Sequence, residues 1–298
     1  MTYVVRASYL VRALGDSVLP PLTSKVLKFV VDVRGGGVLA ELVNSRRPFK
    51  PVMISQLFVD GRPLVSVSRR PLAVPGGAVL SASIAVAGGD VADPAVFESL
   101  AGVVKTRYGV FELSITDIEV ASLKHLSLDV AKYFKLSFIT PTILTAKHMV
   151  PPPLKHRSGT LPERHRLIPQ PSFIFSYLLK LWNAIAAPEE RIPGPAASDW
   201  EAYKLGRLAD VTLVEVDYSI RPVTVVIGRD SKGRLRTARG FTGWVIYESL
   251  SRKLLPIYGK LLALANYLGV GRSRGVGLGM VRALPVSPRE QQGRQHQP

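Results

Sequence analysis

What most limits the fold of this chain is the order in which its hydrophobic pattern changes period. Thr2 to Val11 is rich in β-branched and aromatic residues and reads as a strand, which Leu19-Pro20-Pro21 breaks. Thr23 or Ser24 then caps a helix that runs to Val33 and stops at Arg34-Gly35-Gly36-Gly37. In that helix Leu27, Val30 and Val31 share one face, while Lys25, Lys28 and Asp32 share the other. Strands follow over 52–59 and 78–87. Asp93-Pro94 opens a short helix to Leu100, and 108–120 reads as another strand.

The second half repeats this order with longer insertions. A strand over 133–139 stops at Pro141, and a basic, proline-rich loop over 148–171 leads to a helix over 172–186. Strands are expected over 211–220, 223–228 and 235–248, with a turn at Asp230-Ser231-Lys232-Gly233. A helix over 253–268, with Leu254, Leu261, Leu262, Ala265 and Leu268 inward, precedes a last strand over 281–284. The order is therefore βαββαβ twice. This predicts an α+β fold of tandem ferredoxin-like domains, which is also the fold of the RNA-recognition module (RRM-like). The expected division is 1–122, 123–284 and a disordered tail over 285–298.

Charge narrows the partners. The 298 residues carry 39 Lys and Arg against 22 Asp and Glu, a formal net charge of +17. Such an excess attracts polyanions through counterion release and long-range attraction, so nucleic acid is the expected partner. Cysteine is absent, which excludes disulfides and Cys-based zinc sites. No secretory leader and no uncharged apolar run of membrane-spanning length is read, so the expectation is a cytoplasmic protein without a membrane partner. His148, His156 and His165 fall in the basic loop, but the Pro and Arg around them do not suggest a preformed metal cage. Neither metal nor cofactor is expected.

The segment 269–279 concentrates five glycines and two arginines. A dinucleotide fingerprint leaves a strand and enters a helix with G-x-G-x-x-G. Here position 274 is Arg, and the segment leaves a helix and enters a strand. No Gly-Lys-Ser/Thr occurs, so a P-loop is also excluded. A helix cap and tight turn need one or two glycines, fewer than are present. The expectation is a phosphate-binding loop made of Gly271, Arg272, Ser273, Arg274 and Gly275. Arg229, Arg234 and Arg236 on the predicted hairpin are further phosphate candidates. Their alternative is edge-strand charge that blocks aggregation.

Phe241-Thr242-Gly243-Trp244-Val245, Tyr267-Leu268-Gly269-Val270-Gly271 and Gly275-Val276-Gly277-Leu278-Gly279-Met280-Val281 together resemble the C-terminal motif of the CRISPR-associated endoribonucleases of the RAMP superfamily. Leu136 to Thr142, Pro171 to Asn183, and Arg47-Pro48-Phe49-Lys50 with Ile54-Ser55 resemble further segments of that family. The resemblance implies two ferredoxin-like domains that bind CRISPR repeat RNA, within its precursor, and cut it without metal. In that reaction a 2′-hydroxyl attacks the neighbouring phosphate, leaving a 2′,3′-cyclic phosphate and a 5′-hydroxyl. Effector-complex subunits and a second copy of the chain are the further partners it suggests.

Many members of the family carry a histidine between the first helix and the second strand. The window 39–50 has none here, and Asn44-Ser45 stands in its place. Relatives without that histidine use lysines and arginines, which implies catalytic Lys25, Lys28 and Lys50 with RNA-binding Arg46 and Arg47. A lysine at its ordinary pKa serves as acid or clamp, and a neighbouring cation shifts it toward a base. The alternative is an inactive repeat-binding subunit of an effector complex.

Overall fold

The computed structural model describes the chain except for residues 46, 48, 67–71, 90, 92, 160–164, 230–231 and 287–298, and it leaves the side chains of 157–159 and Arg229 undescribed. In the first half, strand β1 (Tyr3–Ala13) leads to helices α1 (Ser24–Arg34) and α2 (Gly36–Asn44). Strands β2 (Val52–Ile54) and β3 (Val79–Gly88), a helical turn Ala95–Glu98, and strands β4 (Gly102–Thr106) and β5 (Gly109–Ser122) follow. β1 pairs antiparallel with both β3 and β5, β2 pairs with β3, and β4 with β5. The resulting order β2-β3-β1-β5 is that of a ferredoxin-like sheet, with β4 added at the edge. Period-two alternation drives it: Val5, Ala7, Tyr9 and Val11 point into the core while Arg6, Ser8 and Leu10 stay partly exposed.

The second half has strand β6 (Tyr133–Thr142), helices α3 (Pro171–Ile185) and α4 (Asp199–Thr212), the hairpin β7 (Leu213–Arg229) and β8 (Leu235–Ser249), helix α5 (Leu255–Leu268) and strand β9 (Val281–Pro285). The sheet order is β7-β8-β6-β9, the same topology again. Phe134, Leu136 and Phe138 of β6 pack with Phe175, Leu178 and Trp182 of α3 and Leu261, Leu264 and Leu268 of α5. That core also takes in Val4, Met53, Ala85 and Ala87 from the first half, so α5 is packed between the halves. A small third cluster of Leu22, Ile143, Val225, Ala238 and Leu278 fastens the β7–β8 hairpin to the entrance of α1. None of the described helices is long and apolar enough to cross a membrane.

Four local expectations change. The glycine run after Arg34 only bends the chain: the Gly35 N–H donates to the Val31 carbonyl at 2.8 Å, Gly36 has φ +56, and α2 starts there because Leu39 and Val43 recur at helical spacing and are buried. Pro222 does not split the hairpin strand, because β7 is an edge strand with a partner on one side only. Helix α4 was not anticipated, although its capping box is legible: the Ser198 hydroxyl accepts from the Trp200 N–H at 3.3 Å, and Glu201 accepts from the Ser198 N–H at 2.9 Å. The last strand reaches Pro285, and Val286 is buried, so the expected tail begins later; its remainder lies outside the described residues.

Candidate nucleic-acid interface

The cap of α1 is supplied from a distance. Neither Thr23 nor Ser24 caps the helix with its own side chain. The Gln56 Oε1 accepts from the Ser24 N–H at 3.0 Å and from the Thr23 hydroxyl at 3.2 Å. The Val276 carbonyl then accepts from the Ser24 hydroxyl at 2.7 Å and from Gln56 Nε2 at 3.1 Å. The glycine-rich segment is thereby docked on the start of α1.

That docking explains most of its glycines. A Cβ on Gly271 would stand 2.4 Å from the Ile143 carbonyl oxygen, and one on Gly277 would stand 2.1 Å from Gln56 Nε2; both residues also have positive φ, at +89 and +78. The backbone N–H groups of Val270, Arg272, Leu278 and Gly279 donate to carbonyls of Gly279, Ile143, Ser273 and Pro141. The turn thus spends much of its donor capacity within the protein. Gly271 is buried against Ile143, which corrects its assignment as an RNA contact.

Arg274 is a second correction. It is 4% exposed, with Nη1 donating to the Leu268 carbonyl at 2.7 Å and Nη2 to the Lys50 carbonyl. Its guanidinium lies 5.6 Å from the Tyr177 ring centroid, and burial lowers its pKa. Five fixed donors make arginine an effective clamp for buried carbonyls, and here they join the two halves instead of reaching a phosphate. Arg272, two residues earlier, is exposed; Ser273 and Gly275 are half-buried.

Lys25 and Lys28 lie on the other face of α1, and Lys50 follows α2. Lys28 Nζ donates to both carboxylate oxygens of Asp32 at 3.1 Å and to Asn44 Oδ1 at 2.8 Å. Asn44 Nδ2 closes the triangle onto Asp32 at 3.0 Å. Lys50 Nζ donates to the Val43 carbonyl at 3.0 Å; burial, then the Lys28 charge, lowers its pKa. Lys25 is half-buried, its Nζ 3.6 Å from where a Cβ on Gly228 of the hairpin would stand. Burial, then the Arg107 charge, lowers its pKa. Backbone pairing sets Arg236 opposite Gly228, and the exposed Arg234 lies just before it. Arg47 is exposed on the segment between α2 and β2. Arg46 and the Arg229 side chain lie outside the described residues. Sequence reasoning left Arg107 and Gln56 out of the site. They act only through chain segments far from α1 in sequence, so no local pattern could have shown them.

His148 is not placed for proton transfer. Its Nε2 is sealed off without a hydrogen-bond partner, and its ring sits 5.0 Å from Tyr177 and 6.3 Å from Phe49. Burial first, then the charges of Lys180 and Arg272, push its pKa down to about 3.

Two ferredoxin-like sheets sealed by a glycine-rich turn, with lysines on the first helix, define a class of tandem ferredoxin-like proteins with a cationic seam. The model of the Cas6 N-terminal domain matches residues 5–121, and that of the CRISPR-associated endoribonuclease Cas6 matches 136–281. Two curated relatives from Saccharolobus solfataricus, CRISPR-associated endoribonucleases Cas6 1 and Cas6 2, are each 32% identical, over 290 and 295 residues, covering 95% of this chain and 96% of each relative. The chain belongs to the Cas6 family of CRISPR-associated endoribonucleases. Among solved structures, a Cas6 product complex superposes with a TM-score of 0.62 at 18% identity, covering 95% of this chain and all of that one. Thermus thermophilus Cas6 does so with 0.58 at 17% identity, covering 95% and 98%. At these identities the likeness shows the fold.

Proposed function

We propose that this endoribonuclease cuts CRISPR precursor RNA within its repeats at the seam where α1, the segment 44–50 and the β7–β8 hairpin meet. The scissile 2′-hydroxyl attacks its neighbouring phosphorus in line, the 5′-oxygen leaves, and the products are a 2′,3′-cyclic phosphate and a 5′-hydroxyl. The reaction needs a base at the 2′-oxygen, an acid at the leaving oxygen and fixed positive charge on the phosphorane. Lys25 and Lys50 suit the base role, because burial and a neighbouring cation favour their neutral forms. Lys28, gripped by Asp32 and Asn44, is held in one place and suits the clamp. Arg47, Arg234, Arg236, Arg272, Ser273 and Gly275 extend the contact along the strand, and Arg46 and Arg229 belong to the same proposal from sequence alone.

The observation that carries this reading is Lys28 with Lys50 beside it and Lys25 one turn earlier on α1, next to the position where other family members keep a histidine. Repeat RNA incubated in EDTA is expected to be cut at one position with a cyclic-phosphate end. Lys25→Ala and Lys50→Ala are expected to slow single-turnover cleavage by about 10²–10⁴-fold with RNA affinity changed only a few-fold. Arginine cannot lose its proton, so Lys25→Arg should not restore the rate, whereas Lys28→Arg should retain most of it. Unchanged cutting by Lys25→Ala and Lys50→Ala together would remove both from the reaction.

A further inference from the structure

The turn between β4 and β5 closes one side of the lysine site, and two fixed points set its position. At the far end of α1, Arg34 Nη1 donates to the Ala101 carbonyl at 2.5 Å and Nη2 to the Val103 carbonyl at 2.6 Å, which pins the last residue of the helix to the start of β4. The strand from Val103 to Arg107 spans about 13 Å, and the helix from Arg34 back to Lys25 spans about the same. At the near end the Leu14 N–H donates to the Val110 carbonyl at 2.9 Å, and a Cβ on Gly109 would stand 2.2 Å from Ser17 Oγ. The turn is thus seated on the segment that leads into α1, and Arg107 comes to the level of Lys25. The turn is also built to hold its shape. The buried Thr106 hydroxyl accepts from the Tyr108 N–H at 3.0 Å and donates to the Gly109 carbonyl at 2.9 Å. The Arg107 guanidinium lies over the Tyr108 ring, 4.8 Å from its centroid.

We propose that Arg107 is a positioning residue of the cutting reaction, a cation set against Lys25 so that the amine stands ready to take the 2′-hydroxyl proton. That proton leaves the 2′-oxygen and forms the third N–H bond of the ammonium, while the oxygen's electron pair attacks phosphorus. A like charge nearby disfavours the ammonium and so favours the acceptor form beforehand. Arginine suits the task because it keeps its own charge at any working pH. The other groups around Lys25 are already engaged. Lys28, on the next turn of α1, is tied to Asp32 and Asn44. The hairpin brings Gly228, with Arg236 paired opposite it. Asp16, ahead of α1, accepts from the Gly76 N–H at 2.8 Å. Among the described residues no carboxylate pairs with Lys25 or with Arg107, and after burial it is the Arg107 charge that acts on Lys25.

The inference rests on the reading of Lys25 as base. In single-turnover cleavage at saturating repeat RNA, the rate is expected to climb with pH as Lys25 loses its proton. Arg107→Ala should move that ascending limb to higher pH and lower the rate along it by about three- to tenfold, with the plateau above it unchanged. Arg107→Lys keeps the charge and should hold the limb in place. In a Lys25→Ala background, Arg107→Ala should cost nothing further, because the residue acts through Lys25. An unmoved limb in Arg107→Ala, or an equal loss in the Lys25→Ala background, would overturn the inference and leave the nuclease reading intact, with Arg107 serving only to hold RNA. Unchanged cutting by Lys25→Ala itself would instead remove the base, and with it the ground for a residue that acts on it.

Discussion

Two arginines separated by one residue have opposite fates. Arg274 closes the seam between the halves through the carbonyls of Leu268 and Lys50, whereas the Arg272 side chain is exposed. Arg274→Ala is therefore expected to destabilise the protein by about 3 kcal/mol, because two buried carbonyls lose a charged donor. Arg272→Ala should change stability by less than about 0.5 kcal/mol and lower the slope of RNA affinity against salt by about 1, measured by denaturant titration and by binding at several salt concentrations. His148 carries a pH signature. Its pKa falls from the ordinary 6.5 to about 3 on folding, so its contribution is fully present above pH 6.5 and is lost as pH falls toward 3. Unfolding free energy should drop by up to about 1.4 kcal/mol per pH unit in that window. His148→Phe, which keeps a ring between Phe49 and Tyr177, should flatten the drop; an unchanged slope would show that another group titrates there.

At the scale of elements, the glycine-rich turn behaves as a structural joint. A side chain at Gly271 meets the Ile143 carbonyl and requires a positive φ, while Gly275 has nothing nearer than 3.9 Å and no positive φ. Gly271→Ala is expected to cost about 2 kcal/mol or more, and Gly275→Ala to be within about 0.5 kcal/mol of the parent, as read from thermal unfolding. Equal losses at both positions would mean that the turn is uniformly strained. Helix α4 depends on its own start: Ser198→Ala should remove about 1 kcal/mol, and Ser198→Asp should recover most of it. Like α2, this helix was absent from the sequence expectation, and its capping box shows that the signal was there. The mean polarity of its flanks and the neighbouring prolines masked it.

For the whole molecule, the two halves are joined by α5, by the docking of Val276 on Ser24 and Gln56, and by the Leu22, Val225 and Leu278 cluster. The lysine site borders this junction. The order βαββαβ, repeated, was legible from the residues alone, because period-two and period-3.6 patterns are local consequences of strand and helix geometry. Net charge likewise announced a polyanionic partner, and Lys25, Lys28 and Asp32 could be placed on one helix face by counting. Other features depended on which surface each segment met after folding. Tertiary structure alone decided that Gln56 caps α1, that Asn44 holds Lys28 and that Arg274 turns inward. Those outcomes rest on contacts between positions up to 224 residues apart, and no local spacing encodes which carbonyl or carboxylate a donor will find.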